Sequence, residues 1–255
     1  MDTDTLHIDR RRALLLLGGA GLATLVGCSN SDSGAVAPAS STSTTAGAMT
    51  AGATIPQETA GPYPGDGSNG PNVLTTDGIV RRDITPSFGS SSTVAGGVPL
   101  TVELTITKDG SPYAGAAVYA WHCDREGRYS LYSDGVTGEN YLRGVQEAGS
   151  SGKLSFTTVF PAAYPGRWPH IHFEVYPTLA EATKAGTTVA TSQLALPQDA
   201  CDLVYATTGY EQSITNMKRT TLATDMVFSD GAELETPTVT GDVASGFTAT
   251  LAVAV

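Results

Sequence analysis

The sequence predicts an all-β domain, a sandwich of mainly antiparallel strands joined by long loops. Three observations predict it. The run Leu100-Thr101-Val102-Glu103-Leu104-Thr105-Ile106-Thr107 alternates apolar and polar side chains without a break, the period of a half-buried strand. Further short runs rich in β-branched and aromatic residues follow, bounded by Gly- and Pro-marked turns. Helical periodicity is nearly absent from the 255-residue chain, and many short strands with turns between them pack as face-to-face sheets.

The first residues do not belong to that pattern. Arg10-Arg11-Arg12, then Ala13-Leu14-Leu15-Leu16-Leu17 and a Gly/Ala-rich run to Val26, are too short and glycine-rich for a membrane span, and residues 1–27 have the shape of an export signal. The paired arginines resemble a twin-arginine leader. Leu25-Val26-Gly27-Cys28 resembles the bacterial lipobox, in which the cysteine is acylated and becomes the new N-terminus; a small residue in an ordinary leader is the alternative for Cys28. Residues 28–54 are rich in Ser, Thr, Ala and Gly and nearly lack large apolar side chains, so they are expected to form a disordered linker reaching about 28 Å. Residues 55–255 remain as one domain with a good-sized core. The expected address is exported, either a bacterial cell-surface lipoprotein or an extracellular protein, touching the membrane only through a lipid on Cys28.

Charge narrows the partners. Against 14 Lys and Arg stand 25 Asp and Glu, a net charge of −11 that removal of residues 1–27 leaves unchanged, since they carry three Arg and three Asp. Such a chain repels nucleic acid and anionic membrane surfaces, and neither is expected as a partner.

Residues 57–64 open the domain as an extended arm, because their Gly and Pro content rules out regular structure. After the alternating strand at 100–107, residues 108–112 carry turn chemistry, and 116–123 read as a second strand. Arg125-Glu126-Gly127 turns the chain toward Tyr129. A turn at 149–152 precedes a third strand at 154–160, which Pro161 ends. The strand after Pro169 comes next, then a short helix or loop excursion in 177–186, a strand at 189–196, an irregular or partly helical stretch at 202–220 and a last strand at 247–253. Cys123 and Cys201 fit either a disulfide, favoured by an oxidising compartment, or two buried free thiols.

Chemistry concentrates in Tyr164-Pro165-Gly166-Arg167-Trp168-Pro169-His170-Ile171-His172-Phe173. In a strand, His170 and His172 share one face and Ile171 and Phe173 the other. Imidazole suits several transition metals, so the pair is half of a metal site, or else an ordinary pair of surface or core histidines. Histidine is scarce: with His7 in the leader, only His122, His170 and His172 remain. Two neutral imidazoles undersupply a highly charged ion. A tyrosine completes the set when a strongly Lewis-acidic cation removes its proton. Tyr164 lies across a Tyr-Pro-Gly turn able to fold its ring toward the histidines, whereas no local pattern places Tyr129 there.

Three stretches together carry a family resemblance: Trp121-His122-Cys123-Asp124 with Gly127-Arg128-Tyr129-Ser130, Tyr141-Leu142-Arg143-Gly144-Val145-Gln146, and residues 160–172. This combination resembles the intradiol ring-cleavage dioxygenases, the group of protocatechuate 3,4-dioxygenase and of catechol and hydroxyquinol 1,2-dioxygenases, and among them the exported single-domain branch. Thr59-Ala60-Gly61-Pro62-Tyr63 fits too. The resemblance implies a non-haem Fe(III) ion held by Tyr129, Tyr164, His170 and His172 at the edge of the sandwich. It implies that O₂ cleaves a catechol-type ring between its hydroxyl-bearing carbons to a cis,cis-muconate-type product. Tyr164 matches the ligand that departs when substrate binds, Arg167 the arginine that supports charge on the substrate, and Gln193 the glutamine beside the oxygen pocket. Tyr63 and Trp168 are expected at the substrate. Partners are then a small aromatic diol and O₂, with the protein a monomer or homodimer, because the helical N-terminal dimer interface of the cytosolic catechol enzymes is not expected. Ala163 departs from the Gly or Pro usual before the second tyrosine.

Two other classes compete. Residues 109–116 also resemble a transthyretin-like surface or carbohydrate-binding module, with incidental histidines. A zinc hydrolase needs a general-base carboxylate, for which Glu174, on the histidine face, is the only nearby choice.

Overall fold

In a computed structural model that describes residues 53–255, the alternation at residues 100–107 becomes β1 (Pro99–Lys108), burying Leu100, Val102, Leu104 and Ile106 on one face. The export signal, Cys28 and nearly all of the linker lie outside the described residues. Antiparallel β5 (Lys153–Val159) flanks β1 on one side, with the two-residue β2 (Ser111–Pro112) at its end. On the other side β9 (Gly246–Ala254) runs parallel to β1 and carries β8 (Thr238–Asp242) at its outer edge. The mainly antiparallel expectation therefore holds with one exception, the β1–β9 pair.

The second sheet is fully antiparallel: β4 (Arg143–Glu147), β3 (Ala117–Trp121), β6 (His170–Tyr176) and β7 (Ala190–Ala195), in that order. Between the sheets lies the main core, with Leu100, Val102 and Phe156 from one and Val118, Ile171, Phe173 and Leu194 from the other. The outer face of the second sheet is covered as well. Val73, Leu74 and Ile79 of the N-terminal segment pack there on Tyr119, Trp121, Val145 and Tyr176. Every residue of β3 and β6 is consequently buried. His170 and His172 lie on this outer face, at the end of the sheet where β3 stops at Trp121 and β7 at Ala195.

Three short helices punctuate the loops: α1 (Leu179–Ala182), α2 (Gln198–Tyr205) and α3 (Glu211–Met217). The Thr178 hydroxyl caps α1 by accepting from the Glu181 amide at 3.2 Å. Cys123 and Cys201 are free, which corrects the disulfide alternative. They belong to different cores: Cys123 to the outer cluster, Cys201 to the inter-sheet one.

Candidate metal centre

Strand alternation in β6 sends Ile171, Phe173 and Val175 into the inter-sheet core and leaves His170 and His172, each 2% exposed, on the outer face. Their Nε2 atoms are 3.1 Å apart. His170 Nδ1 lies 2.5 Å from the Trp168 carbonyl, so Nδ1 carries the proton and the Nε2 lone pair faces the site. His172 is held differently. Its ring stacks on Trp121, its cross-strand neighbour, with centroids 4.9 Å apart and planes 5° from parallel. On another side Gly61, at φ 68°, brings the arm so close that a Cβ there would sit 3.3 Å from His172 Cε1. His172 Nδ1 is buried without a partner. Burial, helped by the Arg167 charge, holds His170 down to about 3; burial and then His170 hold His172 well below the usual histidine value. Both rings are therefore neutral, with lone pairs to offer.

Tyr129 and Tyr164 reach the same point from two loops. Asp124 Oδ1 accepts from the amides of Glu126 (3.0 Å) and Arg128 (2.9 Å), and Gly127 takes φ 84°, so the chain doubles back and aims Tyr129 inward. The Tyr129 oxygen is 3.3 Å from His170 Nε2 and 3.4 Å from the Tyr164 oxygen, which is itself 3.1 Å from His170 Nε2. Tyr164 is half-buried, in a turn closed by the Arg167 amide on the Tyr164 carbonyl. Burial pushes the Tyr164 phenol up to about 12 and Tyr129 well above 10, so each is a neutral phenol unless a cation takes its proton.

These contacts of 3.1 to 3.4 Å are the spacing of donors around one ion, since ligands about 2.0–2.1 Å from a common centre lie about 3.3 Å from one another. Among the described residues no three His, Cys, Asp or Glu side chains form a metal-binding group. The donor set is two imidazoles and two phenols, which fits a hard, high-valent ion such as ferric iron, for which tyrosinate is a known ligand.

Arg167 stands beside the four donors, with Nη1 3.4 Å from His170 Nε2. Its Nη2 donates to Gln193 Oε1 at 2.7 Å and its Nε to Asp225 Oδ2 at 2.9 Å. Gln193 sits opposite His172 in the β6–β7 register and donates to the Thr59 carbonyl at 2.8 Å, tying the arm to the site. Sequence reasoning missed Asp225. Fully buried, it also accepts from the amides of Trp168 (2.6 Å) and Val227 (2.8 Å). Burial alone would raise its acid; those amides and Arg167 outweigh it and hold the carboxyl below its usual value. No local pattern pairs Asp225 with an arginine 58 positions earlier.

Tyr63 is at the rim, its ring centroid 4.9 Å from that of Tyr129. Trp168 is not: its ring packs with Val227 and Phe228 and donates to the Leu196 carbonyl at 2.8 Å, so only its backbone serves the site. The expected Trp168 substrate contact is corrected accordingly. Glu174 accepts from the Tyr176 hydroxyl at 2.6 Å and faces a cavity of about 610 Å³ away from the four donors, so it does not serve as the general base a zinc hydrolase needs.

Residues 90–208 match the family model described as Dioxygenase. The chain is 36% identical over 90 residues to catechol 1,2-dioxygenase 1 of Acinetobacter lwoffii, covering 34% of this chain and 27% of that protein. It is 31% identical over 112 residues to 6-chlorohydroxyquinol 1,2-dioxygenase of Cupriavidus pinatubonensis, covering 35% of this chain and 40% of that protein. These stretches span less than half the length of either relative. The fold is shared with an intradiol ring-cleavage dioxygenase from Tetranychus urticae at a TM-score of 0.63 and 22% identity, over 79% of this chain and 94% of that one. Sequence match over residues 90–208, shared fold and the approach of Tyr129, Tyr164, His170 and His172 point the same way: the chain is similar to the intradiol ring-cleavage dioxygenases.

Proposed function

We propose that the protein is a non-haem Fe(III) dioxygenase that uses O₂ to cleave small aromatic 1,2-diols between the hydroxyl-bearing carbons, giving cis,cis-muconate-type products. The observation that carries this reading is the approach of the Tyr129 oxygen, the Tyr164 oxygen and His172 Nε2 to within 3.1–3.3 Å of His170 Nε2, with the two oxygens 3.4 Å apart. Tyr129, Tyr164, His170 and His172 would hold the iron, which when bound supplies Lewis acidity and a template for the diol.

The side chains divide the work. Tyr164, half-buried on a Pro-Gly loop, is the donor able to swing away and accept a diol proton. Tyr129 and the two histidines are enclosed and stay. Arg167, fixed by Asp225 and Gln193, points Nη1 at the donor set, where its charge stabilises an anion developing on the ring. The arm with Tyr63 closes over the donors and keeps bulk water out. We further propose export through residues 1–27, anchoring by a lipid on Cys28, and a monomer or homodimer as the working unit.

Oxygen uptake by iron-loaded protein, with catechol, protocatechuate and hydroxyquinol offered in turn, tests the reading. Consumption of one O₂ per diol with a muconate-type product is expected. Absence of uptake with every diol, from protein that holds iron, would contradict it. A non-catalytic surface module gives no reason for two neutral histidines and two tyrosines to meet beside a buried arginine.

A further inference from the structure

We infer that this site takes uncharged diols and discriminates against diols bearing a ring carboxylate. The inference rests on the catechol-cleaving reading above and deepens it.

The donors open to solvent on the Tyr164 side. Three segments frame that opening: the arm at residues 53–65, the turn at 164–167, and residues 222–235, whose Phe228 ring lies 6.5 Å from the His170 ring and 5.8 Å from the Arg167 guanidinium. Together they carry Glu58, Asp230 and Glu233 against a single cation, Arg167; Asp225 and Glu235 of the same segments are fully buried. That cation is already neutralised, with Asp225 at 2.9 Å. The other guanidinium near the histidines belongs to Arg143, which is 1% exposed. All five of its N–H groups are committed, to the Ser130 hydroxyl and carbonyl, the Tyr119 hydroxyl, and the Tyr63 and Pro64 carbonyls. A substrate carboxylate would therefore meet like charge from these three segments, and neither guanidinium beside the histidines is free to receive it.

Glu58 is well placed to impose this. Its amide donates to the Thr191 carbonyl at 2.8 Å, and the next residue, Thr59, accepts from Gln193, the partner of Arg167. Glu58 therefore stands at the edge of the opening on a tethered backbone. Burial and then the Asp230 charge raise its acid. Apolar surface for a bare ring comes from the Tyr63 ring, 4.9 Å from that of Tyr129, and from the Phe228 ring beside His170.

The test is anaerobic titration of the iron-loaded protein, so that binding is read without turnover. The ligands are catechol, 4-methylcatechol as the steric control, and 3,4-dihydroxybenzoate, at low and high salt. Catechol and 4-methylcatechol are expected to bind about tenfold or more tightly than the carboxylated diol, with the gap narrowing at high salt. Glu58→Lys, or Asp230→Asn on its exposed turn, is expected to narrow the gap by about threefold while leaving 4-methylcatechol binding alone. Equal binding of 4-methylcatechol and 3,4-dihydroxybenzoate by the natural protein would overturn the inference, as would a gap that neither salt nor either variant changes. Failure of every diol to bind would instead remove the catechol-cleaving reading, and this inference with it.

Discussion

Tyr164 is the one donor of the four that the fold leaves half-exposed, and that difference assigns its role. Tyr164→Phe is expected to keep part of its iron and lose about 10²-fold or more in turnover, as removal of a proton acceptor does. His170→Ala and His172→Ala are expected to lose iron altogether; elemental analysis beside oxygen uptake separates the cases, and wild-type-like activity in either histidine variant would defeat the ligand assignment. Asp225→Asn keeps the side-chain shape but removes the charge facing Arg167 and turns one of the two accepting oxygens into a donor, so the N–H groups on that side lose their acceptor. Turnover is expected to drop about tenfold with iron content unchanged; a parallel loss of iron would show that Asp225 supports the metal site rather than the arginine. Residues of the site were unequally legible. His170 and His172 announce themselves by a spacing that strand geometry converts into a shared face. Tyr129 and Gln193 became visible only through a family resemblance, and Asp225 not at all, because an Arg–Asp contact spanning 58 positions leaves no local trace.

At the level of elements, β6 couples the two functions of the second sheet: Ile171 and Phe173 anchor the core from one face while His170 and His172 offer donors on the other. Phe173 is fully buried, and Phe173→Ala is expected to destabilise the domain by about 3–5 kcal/mol in a denaturant titration, weakening iron binding with it. A cost near that of an exposed substitution would show that the sheet packs otherwise. Pattern reading found β1 because one of its faces meets solvent and alternation survives. β4 escaped it, since residues 79–84 cover its outer side and Arg143-Gly144 gives no apolar period. The exposed, Thr- and Gly-bearing β8 lacks a buried face to betray it. Short helices in 177–186 and 202–220 were anticipated as irregular excursions and emerge as α1 and α3, with α2 straddling the boundary of the second stretch.

Across the whole molecule, burial sets the charge states and thereby the response to pH. His122 is pushed down to about 4 and His170 to about 3, chiefly by burial. An unfolded chain would protonate both near 6.5, so the metal-free protein loses stability as pH falls below about 6.5. Glu174 and Glu235 shift the other way, to about 7 and about 8, again chiefly by burial. The folded state keeps their protons where the unfolded chain would release them, so stability is lost as pH rises from about 4.5 through 8. The metal-free protein is expected to be most stable in mildly acidic solution. Glu235→Gln is expected to flatten the alkaline decline in thermal melts, and an unaltered slope would mean that Glu235 is ionised in the fold.

On the proposed reading, two phenols and two imidazoles of this chain hold one ferric ion. Visible and resonance Raman spectra of protein produced in iron-replete medium test it most directly, combined with iron analysis and repeated on Tyr129→Phe and Tyr164→Phe. A red-brown protein with about one iron per chain, and a phenolate-to-iron band that each substitution weakens in a distinct way, is the expected result. A colourless protein carrying zinc or no metal, or a band that survives both substitutions unaltered, would contradict the account.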